Sequence, residues 1–426
     1  MNSTALKKAV IVGGVRTPFV KSFTKFNRLT NQQVMTETIK KLVEKFSLQG
    51  KLIGDVAFGS VMLNSGDWNL TREVVLGSGL DPRTPGYNVQ RACGTGLETT
   101  WQIASKIKLG QIEVGIAGGS DTNSDAPVML SRNFTWNLFD LQNQKGFFNK
   151  LKGIFKFSVR DLKLDFPMVR EPRTGLSMGE HTELMVKHWK ITRAEQDQLA
   201  FESHQKAARA YADGFHQDLV FEYQGLTADP LVRADTSLEK LAKLKPAFDR
   251  TATGTLTAGN STPLTDGASA VLVASEEYAQ KNNLPILANF IDAEVAAVDF
   301  VGGEGLLMAP VTAVSRLLAR NNLTLQDFDF YEIHEAFAGQ VLCNLKAWES
   351  AEYCEKVLGR SAPMGKIDRN KMNVKGGSLA LGHPFSATGG RIVASLGKIL
   401  QQNGQGRGLI SICTAGGMGV AAILER

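Results

Sequence analysis

Short unbroken apolar runs recur along this chain, separated by stretches with helical spacing. Residues 9–13 form one such run and predict a buried strand. Between 29 and 46, Val34, Thr38, Leu42 and Phe46 share one helical side. Residues 55–62 predict a second strand and 71–80 a short helix. A β-leaning run from Asn88 ends at Cys93. Leu97, Trp101, Ala104 and Ile107 then share a helical face, and residues 113–121 predict a buried strand finishing in small residues. Strands alternating with helices in this way predict a mostly parallel α/β sheet.

The same grammar returns near the C-terminus. Residues 385–391 open a helix over 392–400, a strand follows at 408–413, and a small-residue loop occupies 414–419. This echo of Cys93-Gly-Thr-Gly96, helix, strand and Ala117-Gly-Gly119 predicts a duplicated α/β half. Two halves placed back to back would bring both glycine-rich loops to one central site. The first half is expected over 1–125, completed by about 254–284, and the second over 285–426. Residues 126–253 are charged and mostly helical or irregular, and are expected to form a loop domain over the site. Within them Thr192 and Glu195 make a capping box for a helix running to about Asp213.

With 426 residues the chain exceeds one compact core. Its composition, 43% hydrophobic and 21% charged, is that of a soluble globular protein. No window has the eighteen or so apolar residues of a membrane span, and the start runs straight into the first strand. Neither a span nor a signal peptide is expected. Cys93, Cys343, Cys354 and Cys413 lie far apart, with no CxxC pair and no histidine at zinc-finger spacing. Reduced thiols in a cytoplasm are expected, without a disulfide framework or a structural metal.

The net charge of +6 is local: residues 145–173 carry eight Lys or Arg against three Asp or Glu. No nucleic-acid-binding signature accompanies them, so nucleic acid is not an expected partner. Phe147, Leu151, Ile154 and Phe155 share a helical face, with Lys150, Lys152 and Lys156 beside or opposite it. Such a helix suits a membrane surface, a partner subunit or a ligand's phosphates, or simply packs on its own domain.

Cys93 is expected in a tight turn at a helix start. Helix N-terminal amides carry partial positive charge, which lowers a thiol pKa and makes a nucleophile. The plain alternative is a small buried hydrophobe. Three later segments outweigh it. His334-Glu335 falls at a strand end. His383 lies in a glycine-rich loop before the second helix start, where Pro384 bars a normal helix. Cys413 ends another strand. Together they supply a nucleophile and candidate bases on strand ends and loops, where α/β sheets build sites.

Five blocks carry a resemblance. They are Arg91-Ala-Cys93-Gly-Thr-Gly96, residues 259–268, His334-Glu-Ala-Phe-Ala338, Gly382-His383-Pro384 and Cys413-Thr-Ala-Gly-Gly-Met-Gly419. In this order, over almost the whole chain, they resemble the signature blocks of thiolases. Val15-Arg-Thr-Pro-Phe19 and Ser177-Met-Gly-Glu180 match as well. The His-Glu-Ala-Phe-Ala form and the basic insertion are most similar to the 3-ketoacyl-CoA thiolase (β) subunits of fatty-acid oxidation multienzyme complexes. Many other thiolases carry Asn where His334 stands.

The resemblance implies an α/β thiolase fold: two βαβαβαββ halves in five αβαβα layers, with a mainly helical loop domain. It implies CoA-dependent cleavage of a 3-oxoacyl-CoA to acetyl-CoA and an acyl-CoA two carbons shorter, as in fatty-acid β-oxidation. By motif match Cys93 carries the acyl group, His383 is its base, and Cys413 protonates the leaving acetyl-CoA carbanion. His334 would help polarise a thioester oxygen. The amides of Cys93 and Ala415 would form an oxyanion hole, although Ala415 stands where many thiolases have Gly. Met178, Gly179, Asn260, Ser261 and Thr262 are expected along the CoA tunnel. Coenzyme A enters as substrate, and no metal or tightly bound cofactor is implied. The family also implies a homodimer. A hydratase/dehydrogenase α subunit and peripheral membrane contact through 145–166 are further expected partners of a cytoplasmic or membrane-peripheral protein.

Competing readings are a biosynthetic thiolase forming acetoacetyl-CoA, a ketoacyl-synthase-like condensing enzyme, and a lipid-binding or scaffold protein. Cys413 argues against the synthase, which uses no second cysteine there. The intact set of Cys93, His383 and Cys413 argues against the scaffold.

Overall fold

The computed structural model describes residues 6–167 and 169–426. The first half runs β1 (Ala9–Arg16), α1 (Asn31–Lys45), β2 (Asp55–Phe58), α2 (Leu70–Gly77), β3 (Gly86–Asn88), α3 (Thr95–Lys108) and β4 (Val114–Thr122). A long excursion follows, carrying α4 (Arg132–Asn143), α5 (Phe147–Ile154), α6 (Met178–His188) and α7 (Arg193–Ala212). The chain then returns as β5 (Thr265–Ser275). The second half runs β6 (Ala288–Ala297), α8 (Ala309–Arg320), β7 (Phe330–Ile333), α9 (Ala338–Glu349), α10 (Ala387–Asn403), β8 (Arg407–Thr414) and β9 (Met418–Glu425).

Strand pairing repeats between the halves. In the first the order is β3-β2-β4-β5-β1, parallel up to β4 and antiparallel beyond it. In the second, β7-β8-β9-β6 repeats the last four places with the same senses, and Met372 bridges Tyr331 in parallel where β3 would stand. The halves join edge to edge, Val10 opposite Asn289 and Ile11 opposite Ala288, within one sheet of these nine strands and the short Val20–Lys21 paired with β5.

Burial follows the layers. All residues of β1, β4 and β5 are buried, as strands covered on both faces must be. One apolar cluster packs α1 and α2 on the outer face of the first half. A second, including Leu97, Ile103, Val271, Ile392 and Val420, places α3 and α10 between the strands of the two halves. A third packs α8 and α9, with Val186 of α6, on the outer face of the second half. The result is the five-layer order that the resemblance implies, helices, strands, helices, strands and helices.

The expected strand over 55–62 stops at Phe58. The amides of Val61 and Met62 donate instead to Asp121 Oδ1, at 2.8 and 2.7 Å, which turns the chain out of the ladder. The basic amphipathic helix forms as α5, but its apolar face meets little. Phe147, Phe148, Ile154 and Phe155 are exposed, and so are Trp136 and Phe139 of α4.

Candidate active site

The turn that presents Cys93 is built by its neighbours. Ala92 sits at φ +43°, a left-handed conformation that disfavours any residue with a Cβ. Thr95 holds it there: its hydroxyl accepts from Arg91 N–H at 2.8 Å and donates to the Ala92 carbonyl at 2.7 Å. Helix α3 starts immediately afterwards. Gly96 is needed because α3 crosses α10 at contact. A Cβ there would stand 2.6 Å from Gly390 N, and one on Gly389 would stand 2.1 Å from Leu97 N. The glycines admit the other half's helix to the backbone.

Two histidines meet Cys93 from the second half. His334 follows β7, and its amide donates to the Ser411 carbonyl at 2.8 Å. His383 lies in the loop before α10, with its amide donating to Thr265 Oγ1 at 2.9 Å. Their rings are 4.1 Å apart between centroids. The donor atoms of Cys93, His334 and His383 all lie within 4.8 Å of one another. Each ring is steered by a hydroxyl at its far nitrogen: His383 Nδ1 is 2.6 Å from Thr388 Oγ1, and His334 Nδ1 is 2.8 Å from Ser378 Oγ. Both Nε2 atoms are buried without a hydrogen-bond partner. Arg391, also buried, donates to Ser378 Oγ at 2.8 Å.

Cys413, near the end of β8, lines the same cavity of about 260 Å³ as Cys93 and His383. The amides of Ala415 and of Cys93 itself face the Cys93 sulfur. Ala415 is absent from the left-handed residues, so a Cβ is tolerated; Gly416 and Gly417, at φ +77° and +70°, take the turn. Gly416 N–H donates to Glu171 Oε1 at 2.7 Å, which ties this loop to the excursion.

The electrostatics depart from the sequence expectation for Cys93. Enclosure by protein pushes its thiol up to about 12, although the two amides pull the other way. Cys413 is raised as well, by burial and by the neighbouring Cys93. Burial, aided by the Arg391 charge, brings His383 down to about 3. His334 is lowered by burial, His383 and Arg391. The resting site therefore holds neutral thiols and neutral imidazoles. Desolvation of a sulfur outweighs a helix terminus here.

Of the residues expected along the tunnel, Met178, Gly179 and Thr262 line the cavity, and Asn260 and Ser261 do not. Asn260 lies beneath it. Its Oδ1 accepts from Thr257 N–H at 2.7 Å and its Nδ2 donates to Asp197 at 3.0 Å, which folds the loop that presents Thr262. Gly179 is needed because a Cβ would come within 2.2 Å of the Phe248 ring. Phe248, Phe385 and Leu307 supply apolar wall from outside the motif blocks, and Phe337 supplies it from within the His334–Ala338 block. Glu335 turns away, accepting from Asn373 at 2.6 Å and Ser203 at 2.7 Å. Asp121 was read only as a strand end. It accepts from Ser60, Val61 and Met62 in its own half and, at 2.8 Å, from Ser386 N–H ahead of α10.

Two thiols and two imidazoles, gathered at the loop ends of duplicated α/β halves, define a cysteine site suited to acyl transfer. Comparison with known proteins places the chain within one group. Residues 9–277 match the thiolase N-terminal domain and residues 284–426 the thiolase C-terminal domain. The chain belongs to the thiolase family. It is 40% identical over 425 residues to a 3-ketoacyl-CoA thiolase of Vibrio cholerae, covering 98% of this chain and 97% of the relative. It is 39% identical, with the same coverage, to a 3-ketoacyl-CoA thiolase of a Shewanella species. Its fold matches the Bacillus anthracis acetyl-CoA acetyltransferase with a TM-score of 0.82 at 30% identity, covering 99% of this chain and 100% of the other. It matches human mitochondrial 3-ketoacyl-CoA thiolase in complex with CoA with a TM-score of 0.81 at 28% identity, covering 99% of each.

Proposed function

We propose that this chain is a 3-ketoacyl-CoA thiolase, cleaving 3-oxoacyl-CoA with CoA to acetyl-CoA and an acyl-CoA two carbons shorter in fatty-acid β-oxidation. The observation that carries the reading is the convergence of Cys93, Cys413 and His383 on one apolar cavity, with the His334 ring 4.1 Å from that of His383 and both Nε2 atoms unpartnered. Thr262, Met178 and Gly179 lie along its wall, where a pantetheine arm would pass.

The first step is attack on the C3 ketone. A thiol near 12 and an imidazole near 3 do not exchange a proton at rest. Transfer from Cys93 to His383 Nε2 therefore accompanies formation of the sulfur–carbon bond. For this the His383 Nδ1–H donates to Thr388, leaving Nε2 as the acceptor. Collapse of the alkoxide breaks the C2–C3 bond. The electron pair moves onto acetyl-CoA as an enolate, and Cys413 gives its proton to C2. His334 stabilises the thioester oxygen through Nε2–H, the tautomer obtained when Ser378 O–H donates to Nδ1.

Acyl-Cys93 is then attacked by CoA, whose thiol proton returns to the Cys413 thiolate. The oxyanion lies against the amides of Cys93 and Ala415. One such donor is worth about 3 kcal/mol of barrier. Cys93 leaves and recovers its proton from His383. Coenzyme A is the co-substrate, and the sequence of steps uses no tightly bound cofactor.

The test is CoA-dependent acetyl-CoA release from acetoacetyl-CoA and from long-chain 3-oxoacyl-CoA. We expect cleavage of both, faster for the longer chain. Carbon dioxide release from malonyl thioesters with no such cleavage would establish a condensing enzyme instead. A homodimer and a hydratase/dehydrogenase partner subunit belong to the same reading, and co-purification of an untagged partner tests the latter. Exposed Trp136, Phe139, Phe147, Phe148 and Phe155 beside a basic stretch support peripheral contact of a cytoplasmic protein with an anionic membrane surface. Flotation with anionic but not neutral vesicles is the expected result, and flotation with neither, or equally with both, overturns it.

A further inference from the structure

The site has a property that the cleavage reaction does not use. Cys93 Sγ and the ring nitrogens of His334 and His383 come from three separate segments, yet stand within 4.8 Å of one another. Both Nε2 atoms are buried and unpartnered, while the opposite nitrogen of each ring is held by a hydroxyl. That is how imidazole ligands are oriented for a metal. A tetrahedral zinc, with Zn–S near 2.3 Å and Zn–N near 2.0–2.1 Å, places its donors about 3.5 Å apart. Small side-chain rotations close the remaining gap.

We infer that Cys93, His334 and His383 form a binding site for a soft divalent cation, zinc above all, which blocks the nucleophile. The donor set selects the metal. Among the described residues no carboxylate, lysine or arginine lines the cavity, so nothing there suits magnesium or calcium. Buried Arg391, bonded to Ser378, opposes a cation, and the Cys93 thiolate offsets that charge. Binding forms two metal–nitrogen bonds and one metal–sulfur bond. On binding, the His334 proton moves from Nε2 to Nδ1, which then donates to Ser378 Oγ, the Cys93 S–H bond breaks heterolytically with its proton passing to the buffer, and nothing is oxidised. The fourth position opens to the cavity that Cys413 also lines. His334 supplies the third donor; an asparagine there would leave only two soft ligands.

Cobalt(II) titration of the chelator-treated, full-length protein tests this, in buffer free of CoA and phosphate. We expect one equivalent bound, with a sulfur-to-cobalt charge-transfer band and the visible bands of four-coordinate cobalt. His334→Asn should weaken binding by at least about tenfold. His188→Ala, which removes an exposed imidazole, should not. Zinc should slow alkylation of Cys93 by iodoacetamide in the unaltered protein, and a chelator should restore it. A six-coordinate cobalt spectrum, affinity unmoved by His334→Asn, or alkylation unchanged by saturating zinc would each overturn the site. Metal-free enzyme assayed alongside separates the two ideas: thiolysis without the cobalt spectrum removes only this inference, and the spectrum without thiolysis removes only the proposed activity.

Discussion

At the penultimate position of β4 stands Asp121, and at the matching position of β8 stands Cys413. Asp121 lies opposite Gly267 and Cys413 opposite Gly419, each on the strand that follows. Both reach across to the helix start of the other half. Asp121 accepts from Ser386 N–H ahead of α10, and Cys413 shares a cavity with Cys93 ahead of α3. Duplication thus supplies one frame twice, with each half's strand end serving the other half's loop. Residue identity then divides the labour. A carboxylate in the first half fastens the halves together, and a thiol in the second faces the cavity, where the proposed reaction has it exchange protons with substrate.

The widest-ranging test of this division concerns the thiol at the first helix start. A thiol held near 12 gains thiolate throughout the working range, so its alkylation should quicken roughly tenfold per pH unit from pH 6 to 9. Cys93 should still react well before Cys343 and Cys354, which are fully buried. Iodoacetamide kinetics with peptide mapping would read both. A plateau near pH 7 would mean that the helix terminus governs the sulfur after all. Next comes Cys413→Ala, expected to lower turnover by about 10²–10⁴-fold and to abolish the first burst of acetyl-CoA. Its stability should change by only about 1 kcal/mol, as for deletion of one small buried group.

Asp121→Ala should invert that pattern. It leaves the donors of Ser60, Val61, Met62 and Ser386 without their acceptor, and a buried unsatisfied donor costs about 1–3 kcal/mol. We expect a loss of roughly 3 kcal/mol or more in urea unfolding, with turnover per folded molecule reduced far less than in Cys413→Ala. Equal effects of the two variants on stability and turnover would dissolve the comparison.

What the chain disclosed beforehand follows from this difference. The duplicated plan was legible because it lies in periodicity and glycine spacing, both local properties. The meeting of Cys93, His334, His383 and Cys413 was legible through motif order. Side-chain direction within a loop was not. Asn260 and Thr262 are two residues apart, yet one is folded under the loop and the other lines the cavity. The sign of the Cys93 shift was also hidden, since it depends on how much protein encloses the sulfur. Asp121 looked like the end of a strand because its partners at 60–62 and 386 are distant in sequence. The early end of β2 at Phe58 has the same cause.

The smallest expected effect concerns the second pair of duplicated duties, the hydroxyls behind the histidines. Thr388 and Ser378 do the same geometric work for His383 and His334, yet only Ser378 also accepts from Arg391. A hydroxyl oxygen that accepts from a guanidinium is a stronger O–H donor, so Ser378 should donate to Nδ1 and fix Nε2–H toward substrate. Ser378→Ala releases that tautomer and removes two hydrogen bonds, of which the one to His334 is worth about 1 kcal/mol, or five- to tenfold in kcat. The KM for acetoacetyl-CoA should not move, because Ser378 is outside the cavity lining. Ser378→Thr should restore turnover. If Ser378→Ala raises KM and leaves kcat alone, or if threonine fails to rescue, the hydroxyl serves packing, and the two histidines are oriented by different means.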